Sequence, residues 1–268
     1  MNAAQAIDVI TEAARGEDRI RALYLSGSHA TGLQDDYSDL DFLLVTPDGA
    51  SDDISALWKR LVLETGPLVM WRDRIVRPAL INAITENWLR IDAVLLPPEQ
   101  MATYAKDSLR VLFDRDGLHK RLGEKTGSAS DKPPRAGYQF EEFIRILGLL
   151  AVAIGRQDFI NGVTGVMHLR SLLIELMIEE NAAPHRGGAL HPHRLLSEEQ
   201  KAVLVSLPVP KATRAAVIQA HLAYAGIYLP RARRLAKTWG VTWPERFEAA
   251  TWAHLRKTLA LEAPDPDA

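Results

Sequence analysis

Residues 23–45 read Leu-Tyr-Leu-Ser-Gly-Ser-His-Ala-Thr-Gly-Leu-Gln-Asp-Asp-Tyr-Ser-Asp-Leu-Asp-Phe-Leu-Leu-Val. Two apolar runs flank a short Gly/Ser turn, and Asp39 and Asp41 open the second run two positions apart. Alternate residues of a strand point to the same side, so these two carboxylates share one face while Leu40 and Phe42 point to the other. Residues 20–25 are too short for a helix and read as a buried strand ending at Gly27. Residues 39–45 read as a second strand, closed by the turn chemistry of Thr46-Pro47-Asp48-Gly49.

Working outward, Asn2 and Gln5 resemble a capping pair ahead of Ala3, Ile7, Ile10 and Ala14, which recur at helical spacing. Downstream, Ser51 and the acids after it open a helix with Ile54, Leu57, Leu61 and Val62 on one face, and Gly66-Pro67 stops it. Residues 68–71, 78–84 and 89–95 are expected as three strands extending the sheet in a mostly antiparallel way, with breaks at Arg72-Asp73-Arg74 and Glu86-Asn87. In the last of them Leu89, Ile91, Ala93 and Leu95 share one face, and Arg90, Asp92 and Val94 the other. Asp92 is the odd acid there. Pro97-Pro98 ends that strand and starts a short helix, and residues 110–113 form a further strand that leaves through Asp114-Arg115-Asp116-Gly117.

Residues 126–134, Thr-Gly-Ser-Ala-Ser-Asp-Lys-Pro-Pro, are rich in small residues and proline, and the periodicity changes across them from two to helical. This predicts an α+β protein: a domain over residues 1–125 with a mixed sheet flanked by helices, a linker over 126–134, and an all-helical bundle over 135–268. Helices are expected at 138–154, 158–181, 197–206, 211–238 and 244–259, with Pro230 kinking or breaking the long one.

A chain of 268 residues with 47% hydrophobic content can build a core for each domain. The net charge of -2 offers no broad attraction for a polyanion and argues against a nucleic-acid partner; the basic run Arg231-Ala232-Arg233-Arg234 is short and reads as a solvated helix face. With no cysteine, a disulfide framework, a thiolate metal site and a Cys nucleophile are excluded, and a reducing compartment fits. The cytoplasm is the expected location. No apolar stretch approaches the roughly 20 residues that span a bilayer, so no membrane partner is expected.

Two carboxylates on one strand face can hold a hard cation, and magnesium is commonly bound by one or two carboxylates together with substrate phosphates. Asp92 on a neighbouring strand would complete a two-metal site for phosphoryl or nucleotidyl transfer, with ions roughly 3.5–4 Å apart, or would act as the base that deprotonates an attacking hydroxyl. Gly27 lets the backbone approach a ligand closely, and Ser28 can hydrogen-bond phosphate oxygens. The combination is more specific than its parts: a strand, Gly27-Ser28, and eleven positions after Ser28 an Asp-x-Asp at the start of the next strand.

Gly27-Ser28 followed by Asp39-Leu40-Asp41 resembles the signature of the DNA polymerase beta-type nucleotidyltransferase superfamily. Gly27-Ser28-His29-Ala30-Thr31-Gly32 with Tyr37-Ser38-Asp39-Leu40-Asp41 is similar to its small bacterial members. A catalytic domain followed by a helical domain of like size resembles the antibiotic nucleotidyltransferases that act on aminoglycosides and lincosamides. The resemblance implies magnesium, as two ions, on Asp39, Asp41 and Asp92, with Asp92 as base or third ligand. It assigns Gly27, Ser28, His29 and Thr31 to nucleotide binding. It further implies ATP or another nucleoside triphosphate as co-substrate, a small-molecule hydroxyl acceptor in a pocket walled by the helical domain, and leaves room for a homodimer. Many relatives carry Arg or Lys where this chain has His29, so a protonated His29 is expected to supply part of that charge.

Two rivals stand beside this reading: a nucleotidyltransferase that modifies a protein or RNA, as in toxin–antitoxin pairs, and a catalytically silent nucleotide-binding regulator. In the helical half, Arg170 and Glu175 sit among Leu169, Leu172, Leu173, Leu176 and Met177. They are substrate-side candidates, with a solvated or ion-paired position as the alternative. His185, His191 and His193 fall in a Gly/Pro segment without a fourth ligand and read as a loop rather than a zinc site.

Overall fold

The chain runs α1 (Ala3–Arg15), β1 (Ala22–Leu25), α2 (Gly27–Thr31), β2 (Leu40–Val45), α3 (Asp52–Leu63), β3 (Leu68–Arg74), β4 (Ala79–Thr85), β5 (Arg90–Leu96) and β6 (Arg110–Asp114) before turning helical. The structure, a computed structural model, describes residues 1–47, 49, 51–74, 79–124, 135–181 and 192–264. The segment expected as a linker, 126–134, and His185 and His191 lie outside the described residues. Helices α4 (Ala136–Gly148), α5 (Leu150–Gly155), α6 (Phe159–Glu180), α7 (Pro192–Leu195), α8 (Glu198–Ser206), α9 (Arg214–Thr238) and α10 (Glu245–Leu259) follow. The fold is α+β. Two compact units form, one holding the sheet through residue 124 and the other the helices from residue 135 onward.

The sheet has six strands in the order β3-β4-β5-β2-β1-β6. Its pairings are antiparallel except at its middle, where β2 runs parallel to β5 with Asp41 opposite Asp92. The alternation in β2 and β5 decides what each face meets. Leu40, Phe42, Leu44, Ile91, Ala93 and Leu95 join Ile7 and Ile10 of α1 and Leu57, Trp58 and Leu61 of α3 in one core. On the opposite face Tyr24, Leu43, Val45 and Leu96 are covered by Met101, Leu109, Leu118 and Leu122 from the short turns flanking β6. That cover stops short of the end of the face where Asp41 and Asp92 stand, and the two acids remain part-exposed.

Local chemistry explains the element ends. Asn2 and Gln5 form a capping box at α1, Ser51 accepts from the Ile54 amide at 3.3 Å to cap α3, and Ser197 with Gln200 caps α8. The short helix expected after Pro97 forms as a 3₁₀ helix over Pro98–Thr103. Three expectations change. β3 continues through Arg72-Asp73-Arg74, because it is an edge strand whose charged side chains reach solvent and whose Asp73 accepts from Ser55 Oγ at 2.8 Å. The helix expected at 138–154 divides into α4 and α5 at Leu149. α9 carries Pro230 in its interior without ending, since Tyr228, Leu229 and Ala232 around it are buried against the rest of the helical core. That core centres on Phe140, Phe143, Leu169, Leu173 and Tyr228, with the Phe143 and Tyr228 rings stacked 3.6 Å apart.

Candidate active site

Asp41 and Asp92 are register partners on parallel neighbouring strands, so their side chains leave the sheet on one face side by side. Asp39 lies two residues before Asp41 on the same side. The three carboxylates each present an oxygen within 4.8 Å of the others, and all three are part-buried. Desolvation comes first in raising Asp41 to about 6, with Asp39 and then Asp92 adding like-charge repulsion. Burial also raises Asp92, against a hydrogen bond with Asn82 that lowers it. Three acids pressed together in this way suit a positive charge between them, and an all-oxygen donor set suits a hard divalent cation.

The neighbours are fixed by register. Asn82 of β4 stands opposite Asp92 on its other side, and Arg74 donates to Asn82 Oδ1 at 3.4 Å. Arg90 reaches Asp39 Oδ2 at 3.7 Å and donates to the Tyr37 carbonyl at 2.9 Å. Arg90 thus pairs with Asp39 rather than with Asp92.

The turn after β1 is built against Asp41. The Ser26 amide donates to the Asp41 carbonyl at 2.8 Å, which holds the start of α2 beside β2. Gly27 has φ of 59°, and a Cβ there would fall 2.1 Å from Asp41 Oδ2. Only glycine lets that carboxylate lie against the turn. The next residue, Ser28, is 2% exposed, and among the described residues its hydroxyl has no hydrogen-bond partner. An unpartnered buried hydroxyl is destabilising unless something else bonds to it, and a phosphate oxygen would do so. Thr31 is differently placed, because its hydroxyl is occupied by the Gly27 carbonyl at 3.0 Å inside α2.

Burial first, and then the nearby Arg110, lower the pKa of His29, while Asp39 pulls weakly the other way. Both lowering effects disfavour the charged form that would substitute for Arg or Lys. The His29 Nε2 is buried and has no hydrogen-bond partner among the described residues. The fixed charge beside it belongs to Arg110, the register partner of Leu25.

In the helical unit, Arg170 donates to the Leu204 carbonyl at 3.0 Å and to the Tyr224 hydroxyl at 2.9 Å. Glu175 accepts from Gln139 Nε2 at 2.7 Å. Both are thus engaged within the helical unit. Sequence reasoning missed Asn82, Arg110 and Arg90's pairing with Asp39. The β4 alternation, with Ala79, Ile81 and Ala83 buried, was the signal available for Asn82.

The family profile described as streptomycin adenylyltransferase matches residues 1–258. Among solved structures, the chain is similar to an aminoglycoside 6-adenyltransferase from Bacillus subtilis at 14% identity, covering 95% of this chain and 98% of that one with a TM-score of 0.39. It is also similar to a nucleotidyltransferase-like protein from Exiguobacterium sibiricum 255-15 at 13% identity, covering 96% and 88% with a TM-score of 0.40. No curated protein sequence matches. Both structural overlaps are loose, and family membership rests on the profile match.

Proposed function

Because the chain belongs to the streptomycin adenylyltransferase family and is an adenylyltransferase, we propose that it moves AMP from ATP to a hydroxyl of a small-molecule antibiotic. The acceptor class is an aminoglycoside or, as the alternative, a lincosamide, and pyrophosphate is released. One observation carries this reading: three carboxylates converge on one sheet face beside a buried, unpartnered serine hydroxyl.

Asp39, Asp41 and Asp92 would hold magnesium, which when bound supplies charge neutralisation for the transferred phosphoryl group and the leaving oxygen. Ser28 Oγ donates to an oxygen of the leaving phosphates, replacing the partner it lacks. Asp92, on the strand beside Asp41, would take the proton of an incoming hydroxyl, and Asn82 steadies it. The hydroxyl oxygen bonds to the α-phosphorus, the bond to the bridging oxygen of the β-phosphate breaks, and the hydroxyl proton passes to Asp92. Arg90 holds Asp39 in place from the side.

The test is pyrophosphate release with ATP and magnesium across a panel of aminoglycosides and lincosamides, with the other nucleoside triphosphates in parallel. Release that depends on the acceptor and is fastest with ATP is expected. Pyrophosphate release that is the same with and without every acceptor would overturn the proposal.

A further inference from the structure

The adenylyl-transfer reading makes a demand on geometry that its catalytic residues do not meet. In-line displacement needs the attacking oxygen and the leaving oxygen on opposite sides of the phosphorus. The sheet order supplies a direction: Ser28 follows β1, Asp39 immediately precedes β2 and Asp41 lies in it, and Asp92 lies on β5 beyond them. With the leaving phosphates at Ser28, the acceptor must arrive from the β5 side.

Two large aromatic side chains stand exposed there. Trp88, in the turn leading into β5, is 74% exposed, and Tyr37, in the segment leading into β2, is 88% exposed. Both line one open cleft of about 1090 Å³ with Arg90, Asp36, His29 and the start of α1, all within the sheet-bearing unit; Asp39, Asp41 and Asp92 are not among its lining residues. That is room enough for a molecule of several rings. The cleft is tied to the acids, because Arg90 bridges the Tyr37 carbonyl and the Asp39 carboxylate.

Trp88 is also strained. Its φ is 60°, a region that a bulky side chain enters rarely and at some energetic disadvantage. The Trp88 amide donates to the Thr85 carbonyl at 2.9 Å, and the Leu89 amide to Thr85 Oγ1 at 3.1 Å, so the turn holds the indole out rather than letting it fold away. Folding gains nothing from a strained tryptophan left in water.

On these grounds, and resting on the adenylyl-transfer reading, we infer that Trp88 and Tyr37 form the platform on which the acceptor lies, with Arg90 joining that cleft to Asp39 of the acid cluster. Aromatic faces accept the C–H faces of sugar rings and attract ammonium groups, and Asp36 beside Tyr37 adds a counter-charge for a cation. The ligand class is a polyhydroxylated, ring-bearing and preferably cationic small molecule.

The experiment measures steady-state kinetics with streptomycin and the rest of the acceptor panel for the unaltered protein and for Trp88→Ala, Trp88→Phe, Trp88→Gly and Tyr37→Ala. Trp88→Ala and Tyr37→Ala should each raise the acceptor KM about tenfold, with the KM for magnesium-ATP within about twofold. Trp88→Phe should recover most of the acceptor affinity. Trp88→Gly should raise the urea midpoint, by relieving φ, while matching the acceptor defect of Trp88→Ala; a merely structural residue would not separate the two. An acceptor KM unchanged in Trp88→Ala and Tyr37→Ala, or a defect in magnesium-ATP alone, overturns the platform while leaving adenylyl transfer standing. No acceptor-dependent turnover by the unaltered protein overturns the functional reading and the platform with it.

Discussion

Gly27 shows how closely the site is built, since its missing side chain is the space that the Asp41 carboxylate occupies. Gly27→Ala would combine a disfavoured φ with a contact that must shift, and it should cost about 1–3 kcal/mol in urea unfolding along with most of the pyrophosphate release. Asp41 allows a second prediction. Its pKa is raised in the folded chain, to about 6, so its favourable contribution is present below the unfolded value and lost as pH rises through about 6. In metal-free protein at pH 7.5, Asp41→Asn should therefore gain roughly 1–2 kcal/mol of stability, discounted for the group's part exposure, while losing magnesium-dependent activity. By the same sign, half-saturating magnesium should rise as pH falls from about 7.5 to about 5.5, because a proton must then be displaced. A titration of initial rate against magnesium at each pH checks this. At this scale the sequence exposed the acids, whose spacing shows their shared facing, but hid the state of His29, which depends on burial and on Arg110.

At the level of elements, the strands around the site were legible because apolar alternation and turn residues bound them. Strand order was not. Nothing local says that β2 pairs in parallel with β5, and that pairing alone brings Asp41 beside Asp92 and makes Asn82 the flanking residue. The run of Arg72-Asp73-Arg74 looked like a break because an edge strand carries no signal that distinguishes it from a loop. Helix contacts were equally hidden. α6 approaches α9 at Gly162, where a Cβ would come 2.7 Å from Val217 Cγ1. Gly162→Leu should destabilise the helical unit by about 1–3 kcal/mol through overpacking, despite leucine's better helix propensity. Urea unfolding followed by far-ultraviolet circular dichroism measures it.

Across the whole molecule, the apolar cores on the two faces of the sheet and among the helices follow from composition and periodicity that any reading of the sequence could count. Less visible was His221, 1% exposed in α9, with Nδ1 2.9 Å from the Val217 carbonyl and Gly165 against its other nitrogen. Burial lowers its pKa, so as pH falls below about 6.5 the unfolded chain takes up a proton that the folded chain refuses. Stability should decline over that window, and His221→Gln should flatten the decline in unfolding midpoints measured from pH 7.5 to pH 5. The account's central claim is that the three acids serve transfer of an adenylyl group, and isotope placement tests it most directly. With ATP labelled at the α-phosphorus, label should appear on streptomycin or another panel acceptor only with magnesium present, and it should vanish in Asp39→Asn. Transfer of γ-labelled phosphate instead, or undiminished α-label transfer by Asp39→Asn, would contradict it.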